Sequence, residues 1–288
     1  MLKNVYISTS AFKNIPLNDL CRQCFDAGLT NIELSFVSYA DDIRETVFEY
    51  KKMGMNFLVH NYFPRPKEDF VLNLGSDDPK VEEMSVAHCR KAIDLSQELG
   101  APFYSVHAGF AFHAAPEDLG RKLTELRRIP YHKVYERFIR NVGALAEYGH
   151  SRGVKLAIEN NVLTEFNLID GRNELILFVE AHEGLDMQKA WSSCPVGFLI
   201  DMGHVNVSSR AMGFDREEFL RAVSGHVAAY HLSDNDGRTD QTAPFGRDVW
   251  FADWVKAEKN KTFVIELQNV DVKQIKGCYE VLEKILIG

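Results

Sequence analysis

Short apolar runs alternate along the chain with stretches in which apolar residues recur at helical spacing. The runs fall at Val5–Ser8, Asn31–Phe36, Phe57–His60, Phe103–His107, Lys155–Glu159, Gly197–Asp201, Val227–His231 and Thr262–Glu266. They are mostly continuous in apolar character, as parallel strands covered on both faces are. Between them, Leu17–Ala27, Asp42–Met53, Val81–Leu99, Tyr135–Ser151, Glu174–Ala181, Arg216–Val223 and Val272–Leu286 carry amphipathic periodicity, with a shorter stretch at Asp253–Glu258. In DAGLTNIEL, KKMGMNFLV, ELGAPFYSV and SRGVKLAIE a glycine stands where a helix would end in a left-handed cap before the next strand. Eight such alternations, with no composition shift to mark a linker, predict one (β/α)8 (TIM) barrel domain over residues 1–288. A doubly wound open sheet is the alternative.

The polar residues at the ends of these runs carry the chemistry. The second run holds Glu33, the third ends in His60, the fourth in His107 and the fifth in Glu159; the sixth delivers Asp201 and His204, the seventh His231 and the eighth Glu266. Parallel barrel strands share one direction, so these side chains meet on one rim. Unpartnered, buried carboxylates and imidazoles cost several kcal/mol each, roughly, and a divalent cation offsets that cost. Glu159, Asp201, His231 and Glu266 come from four consecutive strands in one positional register, which predicts a shared metal site. Three carboxylates and one imidazole suit Mn, Mg, Co or Zn better than a thiophilic metal. His60 and His107 read either as hydrogen-bonded rim histidines or as further ligands. Glu33 reads as a partner of a ligand or as an acceptor for a substrate hydroxyl.

Charge and composition narrow the partners. A formal charge of −8 disfavours nonspecific attraction to nucleic acid. One segment runs against it: from Gly120 to Arg140, seven basic residues, Arg121, Lys122, Arg127, Arg128, Lys133, Arg137 and Arg140, face only Glu125 and Glu136. It is either a solvated helix face or a loop offering Arg127 and Arg128 to a phosphate or carboxylate on a substrate. The five cysteines, an odd number, predict reduced thiols; Cys21 and Cys24 have redox-motif spacing inside a helical stretch and are assigned to packing. With no apolar run near the roughly 18 residues of a membrane span and no secretory signal at its start, the chain is expected to be soluble and cytoplasmic. Tyr62, Phe63, Phe110, Phe112 and Phe245 follow strand ends and either wall a pocket or pack loops. A homo-oligomer is compatible with the sequence, although the outer helices carry no interface signature.

The strand ends VHNYF, SVHAGF, IENN, DMGH, YHLSDNDG and VIEL, together with Glu33, resemble the xylose-isomerase-like barrel superfamily over nearly the whole chain. That superfamily includes sugar and sugar-phosphate isomerases and epimerases and the endonuclease IV type of abasic-site nuclease. In the isomerase branch the resemblance implies one divalent cation on Glu159, Asp201, His231 and Glu266, with the two glutamates moving a proton between opposite faces of a sugar carbon. In the nuclease branch it implies three zinc ions, with His60, His107, His204 and Asp240 as further ligands. The nuclease pattern Asp-x-His is broken here at Asp240-Gln241-Thr242, because a threonine hydroxyl poorly replaces imidazole. The expected function is therefore a metal-dependent isomerase or epimerase working through an enediolate on a small carbohydrate, phosphorylated and acidic ones included. In it Glu159 and Glu266 act as acid and base, and His204 polarises or orients a substrate oxygen. A metallo-phosphodiesterase on abasic DNA and a sugar dehydratase or lyase are the alternatives.

Overall fold

The computed structural model describes residues 2–12, 15–118 and 122–288. Eight parallel strands close into a barrel in sequence order: β1 Val5–Ser8, β2 Asn31–Leu34, β3 Asn56–His60, β4 Phe103–His107, β5 Lys155–Glu159, β6 Gly197–Asp201, β7 Val227–Leu232 and β8 Thr262–Ile265. Around it lie α1 Leu17–Asp26, α2 Ile43–Lys52, α3 Pro79–Leu99, α4 Tyr131–His150, α5 Ala181–Ala190, α6 Met202–Met212, α7 Arg216–Val223, α8 Ala252–Ala257 and α9 Val272–Ile287. The closed barrel, not the open sheet, is the observed architecture. Among the described residues no helix is long and apolar enough to cross a membrane.

The strands read as unbroken apolar runs because their two faces serve two cores. Outward residues such as Val59, Tyr104, Val106, Leu156, Ile158, Phe198, Ile200, Phe263 and Ile265 join the main core beneath the helices. Inward residues Leu58, Phe103, Ala157, Leu199, Ala229 and Val264 form a separate plug inside the barrel. Side chains alternate faces along a strand, so the next inward position lies two residues on. From Leu58, Ala157, Leu199, Ala229 and Val264 that position is His60, Glu159, Asp201, His231 and Glu266. The plug thus forms a floor, and the polar layer stands one pleat above it.

One sequence expectation changes, and one helix appears where none was predicted. The apolar stretch Glu174–Ala181 is not a helix. Leu175, Ile176 and Val179 pack with Phe112, Leu123 and Leu163 in a satellite cluster built from the loops after β4 and β5. The helix begins only at Ala181, where the Glu183 carboxylate accepts from the Val179 and Glu180 N–H groups. Conversely, the residues after Asp201 are helical at once. Asp201 is both the last residue of β6 and the N-cap of α6, its Oδ1 accepting from the His204 N–H at 2.7 Å. The strand passes into the helix with no connecting loop. Cys21 and Cys24 are buried in the packing of α1, and burial pushes both thiols up to about 12, as the packing assignment requires.

Behind the rim, His88 of α3 stacks on Tyr62 at 5.3 Å between ring centroids, with Nε2 3.3 Å from the Asn61 carbonyl. Burial lowers its imidazole from 6.5 to about 4. The unfolded chain therefore takes up this proton first as pH falls. The stability that neutral His88 contributes is complete above its unfolded value and is lost between the two values, by a ceiling of about 3 kcal/mol. Denaturant titrations between pH 7.5 and 4.5 are expected to show a shallower acid loss in His88→Gln than in the native chain; equal slopes would refute the assignment.

Candidate metal centre and active site

Glu159, at the end of β5, is fully buried and sits among four imidazoles. Its Oε2 lies 3.3 Å from His60 Nε2 and 3.4 Å from His107 Nδ1, while its Oε1 lies 3.4 Å from His231 Nδ1 and 3.6 Å from His204 Nδ1. Strand register makes this possible, since His107 is paired with Glu159 and Asp201 with His231 on neighbouring strands. His231 Nδ1 also stands 2.6 Å from Glu266 Oε2 and 3.8 Å from Asp201 Oδ2. Its other nitrogen, Nε2, is 3.0 Å from Glu33 Oε2, so Glu33 lies behind the imidazole, fully buried. This is the arrangement in which a metal-binding histidine is oriented by a carboxylate on its far side.

Ligand atoms of Glu159, Asp201, His231 and Glu266 all lie within 4.8 Å of one another. Both oxygens of Glu159, Asp201 Oδ2 and His231 Nδ1 are buried without a partner in hydrogen-bond geometry. The short N···O approaches above are thus charge contacts, and the donor set of three carboxylates and one imidazole fits a divalent cation. Asp201 divides its carboxylate, Oδ1 capping α6 and Oδ2 buried without a partner among the other donor atoms. His60, His107 and Glu159 form a second cluster of ligand atoms that shares Glu159 with the first. His60 is fixed by its Nδ1 against Ser105 Oγ at 2.9 Å.

The electrostatics show the same demand for positive charge. Burial works against the charge on His231, yet Glu266, Glu33 and Glu159 hold its imidazole well above the usual range. Burial likewise opposes charge on His204, where Asp201, Asp240 and Glu159 prevail and raise it. For Glu266 burial pushes upward, but His231 brings the carboxyl down to about 2. Glu159 falls below the carboxylate range against its own burial, through His107, His231 and His60. Asp201 goes the other way: burial pushes it up to about 7, reinforced by Asp240, Glu159 and Glu266 and opposed by His204. Burial also drives His107 down to about 4, against the pull of Glu159.

His204, on the first turn of α6, places Nδ1 2.8 Å from the Asn160 carbonyl and Nε2 3.4 Å from Asp240 Oδ2. Asp240 therefore reaches the site, whereas Thr242 is buried with its hydroxyl unpartnered. Three contributors were not legible in the sequence. Asn160 brackets Asp201, accepting from its N–H at 2.7 Å and donating to its carbonyl at 3.3 Å. Ser10 donates its hydroxyl to Glu266 Oε1 at 3.3 Å and accepts from the Ser8 hydroxyl at 2.9 Å, and Ser105 holds His60. Their only signal was a polar residue just past, or inside, an apolar run.

The remaining expectations divide. Tyr62, Phe63, Phe112 and Phe245 are buried in loop packing, and Phe110 stacks on Phe112 at 4.5 Å. In the basic segment, Arg137 and Arg140 pair with Glu82 of α3, and Arg128 pairs with Glu174 at 3.0 Å. Lys122, Arg127 and Lys133 are exposed; Gly120 and Arg121 lie outside the described residues.

A family model described as xylose isomerase-like TIM barrel matches residues 21–277. No curated protein matches the chain. Among solved structures, a D-tagatose 3-epimerase-like protein is 17% identical with a TM-score of 0.70, over 98% of this chain and 97% of that one. D-psicose 3-epimerase with D-tagatose from Clostridium cellulolyticum H10 is 14% identical with a TM-score of 0.66, over 98% and 99%. A Thermus thermophilus protein soaked with ZnCl2 is 18% identical with a TM-score of 0.68, over 98% and 97%. At these identities the likeness is one of fold.

Saturating Mn2+ or Co2+ is expected to raise the melting temperature by several degrees, since a ligand at about 100 times its Kd adds about 2.7 kcal/mol. Asp201→Ala should abolish the shift. A methyl at Gly203 would stand 2.8 Å from Ser233 Oγ and 3.1 Å from Asp201 Oδ1. Gly203→Ala is accordingly expected to weaken metal retention about tenfold or more, read by equilibrium dialysis.

Proposed function

We propose, from the premise that the chain belongs to the xylose isomerase-like TIM barrel family, that it is a divalent-metal-dependent isomerase or epimerase of a small sugar or sugar phosphate. The observation that carries this reading is the single cluster in which two ionised glutamates, Glu159 and Glu266, share ligand distance with Asp201 and His231. The epimerases among the similar structures are named for sugars of this size. When bound, a divalent cation would polarise the substrate's carbonyl and hydroxyl oxygens and lower the energy of the enediolate.

The chain's own residues supply the rest. Removing a C–H proton beside a carbonyl needs a base within hydrogen-bond reach. Glu266 is ionised, its side chain is 15% exposed, and Ser10 orients its Oε1. It takes the proton and later releases it to solvent at the mouth; Glu159, ionised at rest, would return one to the opposite face after itself taking up a proton from solvent. Asp201 and His231 would hold the cation, with Glu33 fixing His231. His204 keeps Nδ1 on the Asn160 carbonyl, and its Nε2, 3.4 Å from Asp240, would turn to a substrate oxygen when substrate is bound. The exposed Lys122 and Arg127 offer charge to a phosphate or carboxylate at the far end of the substrate. A dehydratase or lyase would use the same groups to expel a hydroxyl from the enediolate.

The second cluster, His60, His107 and Glu159, favours a second reading as a metallo-phosphodiesterase on abasic DNA. Against it stand the net charge of −8 and the Thr242 hydroxyl where that pattern calls for imidazole.

Solvent deuterium incorporation, followed by proton NMR across ketoses and ketose phosphates, separates these. Glu266→Gln is expected to keep the melting temperature within a few degrees while slowing exchange about 100-fold or more. Unchanged exchange in the metal-loaded variant ends the assignment. About three zinc per chain together with cleavage of an abasic duplex would favour the phosphodiesterase instead.

A further inference from the structure

The last paired residue of β5 is Glu159, which faces Leu199 of β6. One residue on, the main chain leaves the sheet. The Asn160 N–H still reaches the Leu199 carbonyl, weakly at 3.4 Å, but the Asn161 N–H goes to Phe178 in the loop after β5. Asp201 has by then lost its main-chain neighbour on that side. The Asn160 carboxamide takes the missing place, accepting from Asp201 N–H at 2.7 Å and donating to Asp201 C=O at 3.3 Å. It does with two side-chain atoms what a further peptide of β5 would have done. The Asn160 carbonyl then accepts from His204 Nδ1 at 2.8 Å, fixing the protonated nitrogen and aiming Nε2 at Asp240. Asn160 is 1% exposed, and the hydrogen bonds of its side chain go to main-chain atoms of Asp201.

We infer that Asn160 is a positioning residue that acts through Asp201: its carboxamide extends the β5–β6 ladder by one side chain and so sets the distance between the neighbouring ligands Glu159 and Asp201. The inference rests on Asp201 being a cation ligand, as the proposed function holds. Two features make the position specific. Asn160 follows Glu159 directly, so any slip of its clamp moves one ligand relative to the other. Asp201 also caps α6, so its backbone cannot shift without moving His204. Asparagine suits the place because it offers a donor and an acceptor on one short side chain. Aspartate would present an oxygen to the Asp201 carbonyl, and serine cannot span both groups.

The test is Co2+ binding, followed by visible absorption and by competition with a chelator of known affinity. Asn160→Ala is expected to weaken Co2+ binding about 10- to 100-fold and to alter the visible bands. Asn141→Ala removes another buried amide, one that bonds the Leu74 carbonyl and Glu82 away from the site, and should leave binding unchanged while lowering stability. A double-mutant cycle with Asp201→Asn identifies the route: if Asn160 acts through Asp201, its loss costs much less in that background. Native-like affinity in Asn160→Ala, or a loss that simply adds to that of Asp201→Asn, overturns the inference. Asn160→Ser is the second variant should alanine fail to fold; if neither folds in the cold, a purely structural role explains the residue and the inference falls. Absence of Co2+ binding by the native chain would instead sink the metal reading beneath it, an outcome distinct from all of these.

Discussion

The fully buried charge of Glu159 is the constraint on which the rim depends. An ionised carboxylate at the end of an apolar strand is tolerable only where positive charge and polar groups are brought to it, and four imidazoles from β3, β4, β7 and α6 converge on its two oxygens, those of His231 and His204 raised by their carboxylate neighbours. Three of the four are anchored from behind. His60 leans on Ser105, His231 on Glu33 and His204 on the Asn160 carbonyl. The barrel supplies these anchors at no extra length of chain, because each of them lies in a strand or one residue beyond its end.

The two-faced packing of the strands explains why so much was legible in the sequence. A strand whose outward residues meet helices and whose inward residues meet a plug must read as apolar throughout. A charged residue at its end then marks where the plug stops. That parity identifies His60, Glu159, Asp201, His231 and Glu266 from one chain alone. It says nothing of Asn160 or Ser10. Their partners lie 41 and 256 residues away, and a short polar side chain after a strand looks the same whether it clamps a ligand or faces water.

The unpredicted helix and the predicted one that does not form have opposite causes. Met202–Met212 holds a glycine, two valines and an asparagine, weak helix formers, and is helical because Asp201 caps it and the fold buries one side. Glu174–Ala181 has the apolar content of a helix but splits it, Leu175, Ile176 and Val179 to the satellite cluster and Leu177 and Phe178 to the main core. In both cases tertiary context overrides local propensity. The basic segment shows the same lesson for charge, since Arg128, Arg137 and Arg140 find acidic partners remote in sequence.

The direct passage of β6 into α6 has a consequence for how this scaffold can diversify. The connections after β4, β5 and β7 are long enough to gain or lose residues while their strands stay in place. The sixth has no slack: one inserted residue would rotate the first turn of α6 by about 100° and carry His204 away from Asp240. New specificities on this barrel should therefore arise by remodelling the longer connections around an unaltered sixth strand. In a library built for altered substrate range, that junction is the place to leave untouched.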